Sequence, residues 1–235
     1  MENAISRSHA KSLAQKWTFI LLHLAIVLFS LWLVLFDGLS TLGSIFNKEW
    51  SFSDPNRAMI LLACTSLYFI RHIITLFYLL VRKVPWAEVF GLSMFIALFE
   101  IGLVLIGGGA FREYTIEFGS LDILAFALLI IGSYLNSFSE LQRKWWKADQ
   151  KNKGHLYTKG LFTHSMHINF FGDVVLFTGW SLFTYNFWTL GLPLLMLLSF
   201  IFFHIPTLDG YLRERYSEEF LAYEKRTKKL TPFVY

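Results

Sequence analysis

The sequence predicts an all-α, polytopic membrane bundle of about six or seven transmembrane helices, with both termini on the cytoplasmic side. Three observations carry that expectation. Hydrophobic residues make up 55% of the 235, and the mean hydropathy of +0.49 lies above the usual soluble range. Apolar runs near the roughly 20 residues that cross a bilayer core of about 30 Å recur along the chain. Lysine and arginine collect in alternate connecting segments, the pattern of the positive-inside rule.

The runs follow in order. The first, Trp17–Phe36, comes after a polar stretch with Arg7, Lys11 and Lys16. It is too long for a signal-peptide core and lacks a small-residue cleavage site, so it reads as a span that stays. Ala58–Val81, Trp86–Gly107 and Leu121–Phe138 are the second to fourth. The fifth, Phe170–Tyr185, is short and carries Asp173, and only a tight turn near Asn186 joins it to the sixth, Phe187–Ile205. Of the 21 lysines and arginines, only Lys48, Arg57 and Arg112 fall on the second side, and Arg71 lies within a span. The net charge of +4 is therefore concentrated on one face, where it sets topology and attracts anionic lipid head groups. Because these cations are divided among separated membrane-flanking segments, nucleic acid is not an expected partner. With no internal repeat, low-complexity tract or linker, residues 1–235 read as one membrane domain.

Ionisable groups inside spans are costly, about 2.5–3.5 kcal/mol at a span's centre, and call for a partner or a polar cavity. Arg71 and His72 lie in the second run, Glu100 in the third and Asp173 near the start of the fifth. Arg71 and Glu100 either pair with each other or line an intramembrane pocket. Tyr68 is one turn before Arg71 and His72 and shares their helix face. His23 and His204 read as packing or interfacial residues, and Glu88 beside Trp86 as an anchor or a chemical group. Cys64 is the single cysteine, so no intrachain disulfide and no thiolate metal cage is available. His164, His167 and Asp173 are too loose a set for a metal site.

The fourth run extends into "SYLNSFSELQRKWWKADQ", where Asn136, Glu140, Arg143 and Lys147 are spaced by 4, 3 and 4 and share one helical face. A stripe that begins with an amide and ends in cations suits an extended ligand with polar and anionic parts, such as a dinucleotide. The phosphate motifs of soluble proteins are missing. "IGGGAF" follows an apolar helix and has Arg112 in the place of the last glycine of G-x-G-x-x-G, and there is no Walker motif and no G-x-S-x-G elbow.

"GLFTHSMHINFFGD", residues 160–173, resembles the G-L-[FY]-x-x-[ST]-x-H-x-N-[FY]-x-G-[DE] signature of the steroid 5-alpha-reductase and sterol reductase superfamily of integral membrane enzymes. The ending "RYSEEFLAYEKRTKKLTPFVY" is similar to that superfamily's aromatic helix, basic run and terminal Pro-aromatic segment. The resemblance is good from Tyr134 to Tyr235, extends to "YFIRHIITLFYLLVRKVP" and is weak in the first fifty residues. It is shared with isoprenylcysteine carboxyl methyltransferases.

The resemblance implies a membrane-embedded, NADPH-dependent reductase acting on CH-CH groups, with residues 131–235 as the cofactor half and residues 1–130 as the substrate side. It assigns cofactor contacts to Asn136, Glu140, Lys147, Asn169, Asp173 and Tyr216. Arg143 and Arg213 join the cationic set by spacing, and His167 lies within the signature. Two departures stand out. Met166-His167-Ile168-Asn169 replaces Arg-His-Pro-Asn, and Leu208 and Leu212 stand where an arginine and a histidine are expected. The expected chemistry is reduction of a carbon–carbon double bond conjugated to a carbonyl in a steroid-like or other lipophilic molecule. Tyr68 is the candidate proton donor and Glu100, kept protonated by apolar surroundings, the second, with Arg71 and His72 orienting either. The alternatives are an S-adenosylmethionine-dependent methyltransferase and a non-catalytic lipid-binding membrane protein. Either a bacterial inner membrane or the endoplasmic reticulum fits.

Overall fold

The structure, a computed structural model, describes residues 11–234; Arg7 and Tyr235 lie outside the described residues. All regular structure among them is helical: α1 Leu13–Leu35, α2 Gly38–Ile45, α3 Pro55–Ile74, α4 Trp86–Gly107, α5 Ser120–Ala148, α6 Ile168–Leu182, α7 Gly191–Ser199 and α8 Ile205–Arg226. Five helical stretches are long and apolar enough to cross a membrane, and α6 is a shorter apolar helix. The protein is a multi-pass integral membrane protein built as a helical bundle. The chain divides into two compact units, the residues up to Leu121 with Leu182–Thr189, and Asp122–Ser181 with Leu190–Tyr235.

In the first unit α1, α3 and α4 pack on one another, with α2 against α1. Pro55 occupies the first turn of α3, where its missing N–H costs nothing, and the Asp54 carboxylate caps the helix by accepting from the Arg57 backbone N–H at 3.2 Å. Asp54 also accepts from Arg57 Nε at 3.2 Å, Arg112 Nη2 at 3.3 Å and the Ile116 N–H at 3.2 Å. One buried carboxylate thus ties the start of α3 to the 108–119 segment. Arg57 adds bonds to the carbonyls of Phe183 and Ile116. At the other end, α3 runs into a π-turn at Thr75–Leu79, and Lys16 Nζ donates to the Leu80 carbonyl at 2.8 Å. Glu88 is held by Arg82 through both carboxylate oxygens, which makes it an architectural pair at the start of α4.

In the second unit glycines bring two backbones together. A Cβ on Gly172 of α6 would sit 2.5 Å from the Asn136 nitrogen of α5, and one on Gly179 would sit 2.6 Å from the Ala125 carbonyl oxygen. Gly132 faces the backbone of Gly172 and Leu176 in the same way. Small residues permit such contact where lipid supplies no hydrophobic drive for association. Gly172→Ala is therefore expected to lower stability by about 2 kcal/mol, the scale of overpacking a close-packed interface. Denaturation of the purified variant in detergent measures it.

Two spans differ from the expectation. The fifth is α6, 15 residues from Ile168 to Leu182. The sixth does not stop near Ile205: its helical path runs Phe187–Arg226 through a π-turn at Phe200–His204 and on into α8. Pro206, the residue after the sixth apolar run, sits in the first turn of α8, where a helix needs no proline N–H. The interruption inside α8 comes later, at Ser217 with φ 39° and ψ −105°.

Candidate functional site

Each unit holds one cluster of chemistry-bearing side chains. In the first unit three helices converge. Glu100 of α4 and His23 of α1 are fully buried, and His23 Nε2 lies 3.0 Å from Glu100 Oε1. His23 Nδ1 lies 3.1 Å from His72 Nδ1 of α3. The Tyr68 ring packs edge-on against His72, centroids 4.3 Å apart, and Arg71 lies over the Tyr68 ring at 5.4 Å. Phe19, Phe69 and Phe99 wall these groups in. All four candidates Tyr68, Arg71, His72 and Glu100 belong to one cluster or its edge.

The surprise is His23. It was expected to be a packing or interfacial residue, but it is 0% exposed and bonds both Glu100 and His72. Glu100 therefore takes His23 as its partner, and not Arg71. The rule that an ionisable side chain within a span marks a functional hypothesis applies to His23 as much as to Arg71, and that was the signal available. His204 packs against Phe170 and Phe200 in the second unit.

In the second unit α5 carries Asn136, Glu140, Arg143 and Lys147 on one face. The Asn136 side chain donates to the Asn169 backbone carbonyl of α6 at 2.9 Å, so the two asparagines meet across the glycine contact. Glu140 pairs with Arg143 through Oε2, while its buried Oε1 has no hydrogen-bond partner. Lys147 Nζ reaches the Tyr216 hydroxyl at 3.4 Å. Asp173 follows Asn169 by one helical turn and is half-buried.

Two of the expected cofactor residues are occupied elsewhere. Arg213 donates to Glu224 at 2.8 Å and lies over Phe220. Beside Tyr216, together with Lys147, is Arg215, 5.7 Å from the ring centroid, with a bond to the Tyr211 hydroxyl at 3.1 Å. Spacing in the sequence points to Arg213 and does not single out Arg215. His167 is 1% exposed, and its Nε2 lies 2.8 Å from Asp209 Oδ1. Asp209 also pairs with Lys229 at 3.1 Å. Burial lowers the Lys229 ammonium pKa, but Asp209 and Glu224 beside it outweigh that and hold it above the ordinary lysine value.

The signature stretch is stapled to the tail. Met166 and His167 N–H groups donate to the carbonyls of Lys228 and Lys229 at 2.8 and 2.9 Å, and the Ser165 hydroxyl donates to the Leu230 carbonyl at 2.6 Å. Tyr223 donates its hydroxyl proton to the Phe162 carbonyl inside an apolar core that includes Tyr157, Met166, Ile168 and Phe220. A family model for a protein of unknown function, DUF1295, matches residues 30–227. The chain belongs to the DUF1295 family. This is a family of the steroid 5-alpha-reductase-like group. No curated protein matches the sequence.

The DUF1295 match covers the α5 stripe and, in the first cluster, Tyr68, Arg71, His72 and Glu100 but not His23. It also covers the Asp54 site, where a hollow of about 320 Å³ is lined by Asp54, Arg57, Ile60 and Thr115–Phe118. There the Asp54 carboxylate is committed to two guanidinium groups and a helix cap. These contacts of Asp54 are those of a structural tie between the start of α3 and the 108–119 segment.

Proposed function

We propose that this DUF1295 protein is a membrane-embedded, NADPH-dependent reductase of a carbon–carbon double bond conjugated to a carbonyl in a lipophilic molecule. The observation that carries the reading is the α5 stripe and its neighbours: Asn136 tied to Asn169, Glu140 with one buried oxygen unused, and Lys147 with Arg215 at Tyr216. Eleven residues of helix place Asn136 and Lys147 about 16 Å apart along the axis, a span suited to an extended dinucleotide. The donor set fits such a cofactor. Amide and carboxylate groups bond a carboxamide or ribose hydroxyls, Glu140 has acceptor capacity to spare, and Lys147 and Arg215 supply charge for phosphates.

When bound, NADPH would supply the hydride equivalent for the β-carbon of the double bond. The residues of the first unit handle the other half of the reaction. As the substrate carbonyl oxygen gains negative charge it needs a hydrogen-bond donor in a dry site, and the Tyr68 hydroxyl is that donor. Arg71, over the Tyr68 ring, favours a negatively charged oxygen nearby. The aromatic walls around Tyr68 suit a greasy guest and exclude water.

Purified protein in detergent is expected to gain thermal stability from NADPH and none from S-adenosylmethionine. At a ligand concentration 100 times Kd the gain is about 2.7 kcal/mol. Stabilisation by S-adenosylmethionine alone would transfer the reading to the methyltransferase class, and stabilisation by neither would support a lipid-binding role.

A further inference from the structure

We infer that Glu100, His23 and His72 form a single proton-conducting chain that recharges the Tyr68 donor face, with His23 as its obligatory middle member. The inference rests on the reductase reading only for the identity of the final proton acceptor. From Glu100 to His72 the chain stands on geometry, Glu100 Oε1 to His23 Nε2 at 3.0 Å and His23 Nδ1 to His72 Nδ1 at 3.1 Å. The step on to the Tyr68 hydroxyl belongs to the inference, and the packing of the His72 ring on the Tyr68 ring, centroids 4.3 Å apart, supports it.

Both inner contacts are short enough for real hydrogen bonds, and each needs one proton between its two heavy atoms. With Glu100 neutral, its O–H donates to His23 Nε2. His23 Nδ1–H then donates to His72 Nδ1, and the proton of His72 must sit on Nε2, the outer ring nitrogen. Now let that outer proton leave. The His23 Nδ1 proton moves to His72 Nδ1, and the Glu100 proton moves to His23 Nε2. One proton has left at His72 Nε2, two have each moved one bond, and one negative charge has appeared on Glu100. Both rings are neutral before and after, and both hydrogen bonds survive with their direction reversed. A proton returning at His72 resets the chain.

The resting polarity follows from burial. Glu100 and His23 are 0% exposed, and Glu100 Oε2 has no hydrogen-bond partner. A fixed carboxylate–imidazolium pair in an apolar bundle needs its remaining lone pairs satisfied to be tolerable, whereas a neutral acid can leave Oε2 unpaired at far smaller cost. The charged state is thus a transient one, reached when Tyr68 has given its proton to the substrate oxygen and His72 replaces it. His23 touches no substrate in this scheme. It is a positioning and relay residue acting through His72.

The test uses the full-length protein in lipid nanodiscs with ¹⁵N-labelled histidine. Expected are a carboxylic-acid carbonyl band that disappears in Glu100→Gln, and neutral rings with His23 protonated on Nδ1 and His72 on Nε2. An imidazolium at His23 opposite an ionised Glu100 overturns the chain. In single-turnover reduction with NADPH, the wild type is expected to show a solvent-isotope dependence of more than one proton. His23→Gln reduces it to one proton and slows turnover about 10-fold, less than the loss of a donor itself, with NADPH stabilisation unchanged. A one-proton dependence already present in the wild type also overturns the chain. Should His23→Gln fail to fold, Glu100→Gln carries the same comparison. Absence of NADPH stabilisation sinks the reductase reading instead, and the ring and carboxyl spectra then decide the chain by themselves.

Discussion

Tyr68→Phe is expected to lower the turnover of NADPH-dependent reduction about 1000-fold while leaving NADPH stabilisation of the protein intact. The substitution removes one hydroxyl and keeps the ring that packs at 4.3 Å on His72 and under Arg71. A positioned general acid contributes typically about 100- to 10,000-fold, whereas loss of one hydrogen bond costs stability only about 1 kcal/mol. The split between rate and stability is what distinguishes a donor from a packing residue. Stopped-flow measurement of NADPH oxidation with an enone substrate reads the rate, and thermal unfolding reads the stability. Unchanged turnover would remove Tyr68 from the chemistry.

Asp54→Ala is expected to be the most destabilising single substitution in the first unit, by about 3–5 kcal/mol. Asp54 is 6% exposed, and its carboxylate serves two arginines and caps α3. Removing one partner of a buried ion pair leaves charge uncompensated at about that cost, and a lost cap adds about 1 kcal/mol. Asp54→Asn retains an acceptor for the cap and is expected to recover part of the loss. Unfolding of the two variants in mixed micelles checks the order. If Asp54→Ala proves as stable as the wild type, the carboxylate is not what secures the 108–119 segment.

The first four spans were legible because each rests on a local property. α4 begins and ends at Trp86 and Gly107 as the apolar run does, bounded by Pro85 and by the turn at Gly108–Gly109. α5 continues to Ala148 because the polar stripe keeps helical spacing beyond the apolar run. The α6–α8 region was less legible. Hydropathy reports where apolar residues lie, but not whether a π-turn will absorb a proline, and so it ended the last span near Ile205.

The candidate clusters divide in the same way. Asn136, Glu140, Arg143 and Lys147 share a face by arithmetic alone, and the sequence suffices for that. The meeting of Asn136 with Asn169 depends on how closely α5 and α6 approach, which Gly132, Gly172 and Gly179 decide together. His167 carried the look of a ligand contact, yet its bond to Asp209 joins positions 42 residues apart.

By itself the sequence determined the membrane class, the helical spans that set the scaffold and the one-face polar stripe of α5, since hydropathy and helical period are properties of neighbours along a chain. Tertiary structure alone decided that His23 joins Glu100 to His72, that Arg215 stands with Lys147 beside Tyr216, and that the signature loop is pinned to the tail. Hydrogen bonds act over about 3 Å, and which distant residues come within that reach is set by packing.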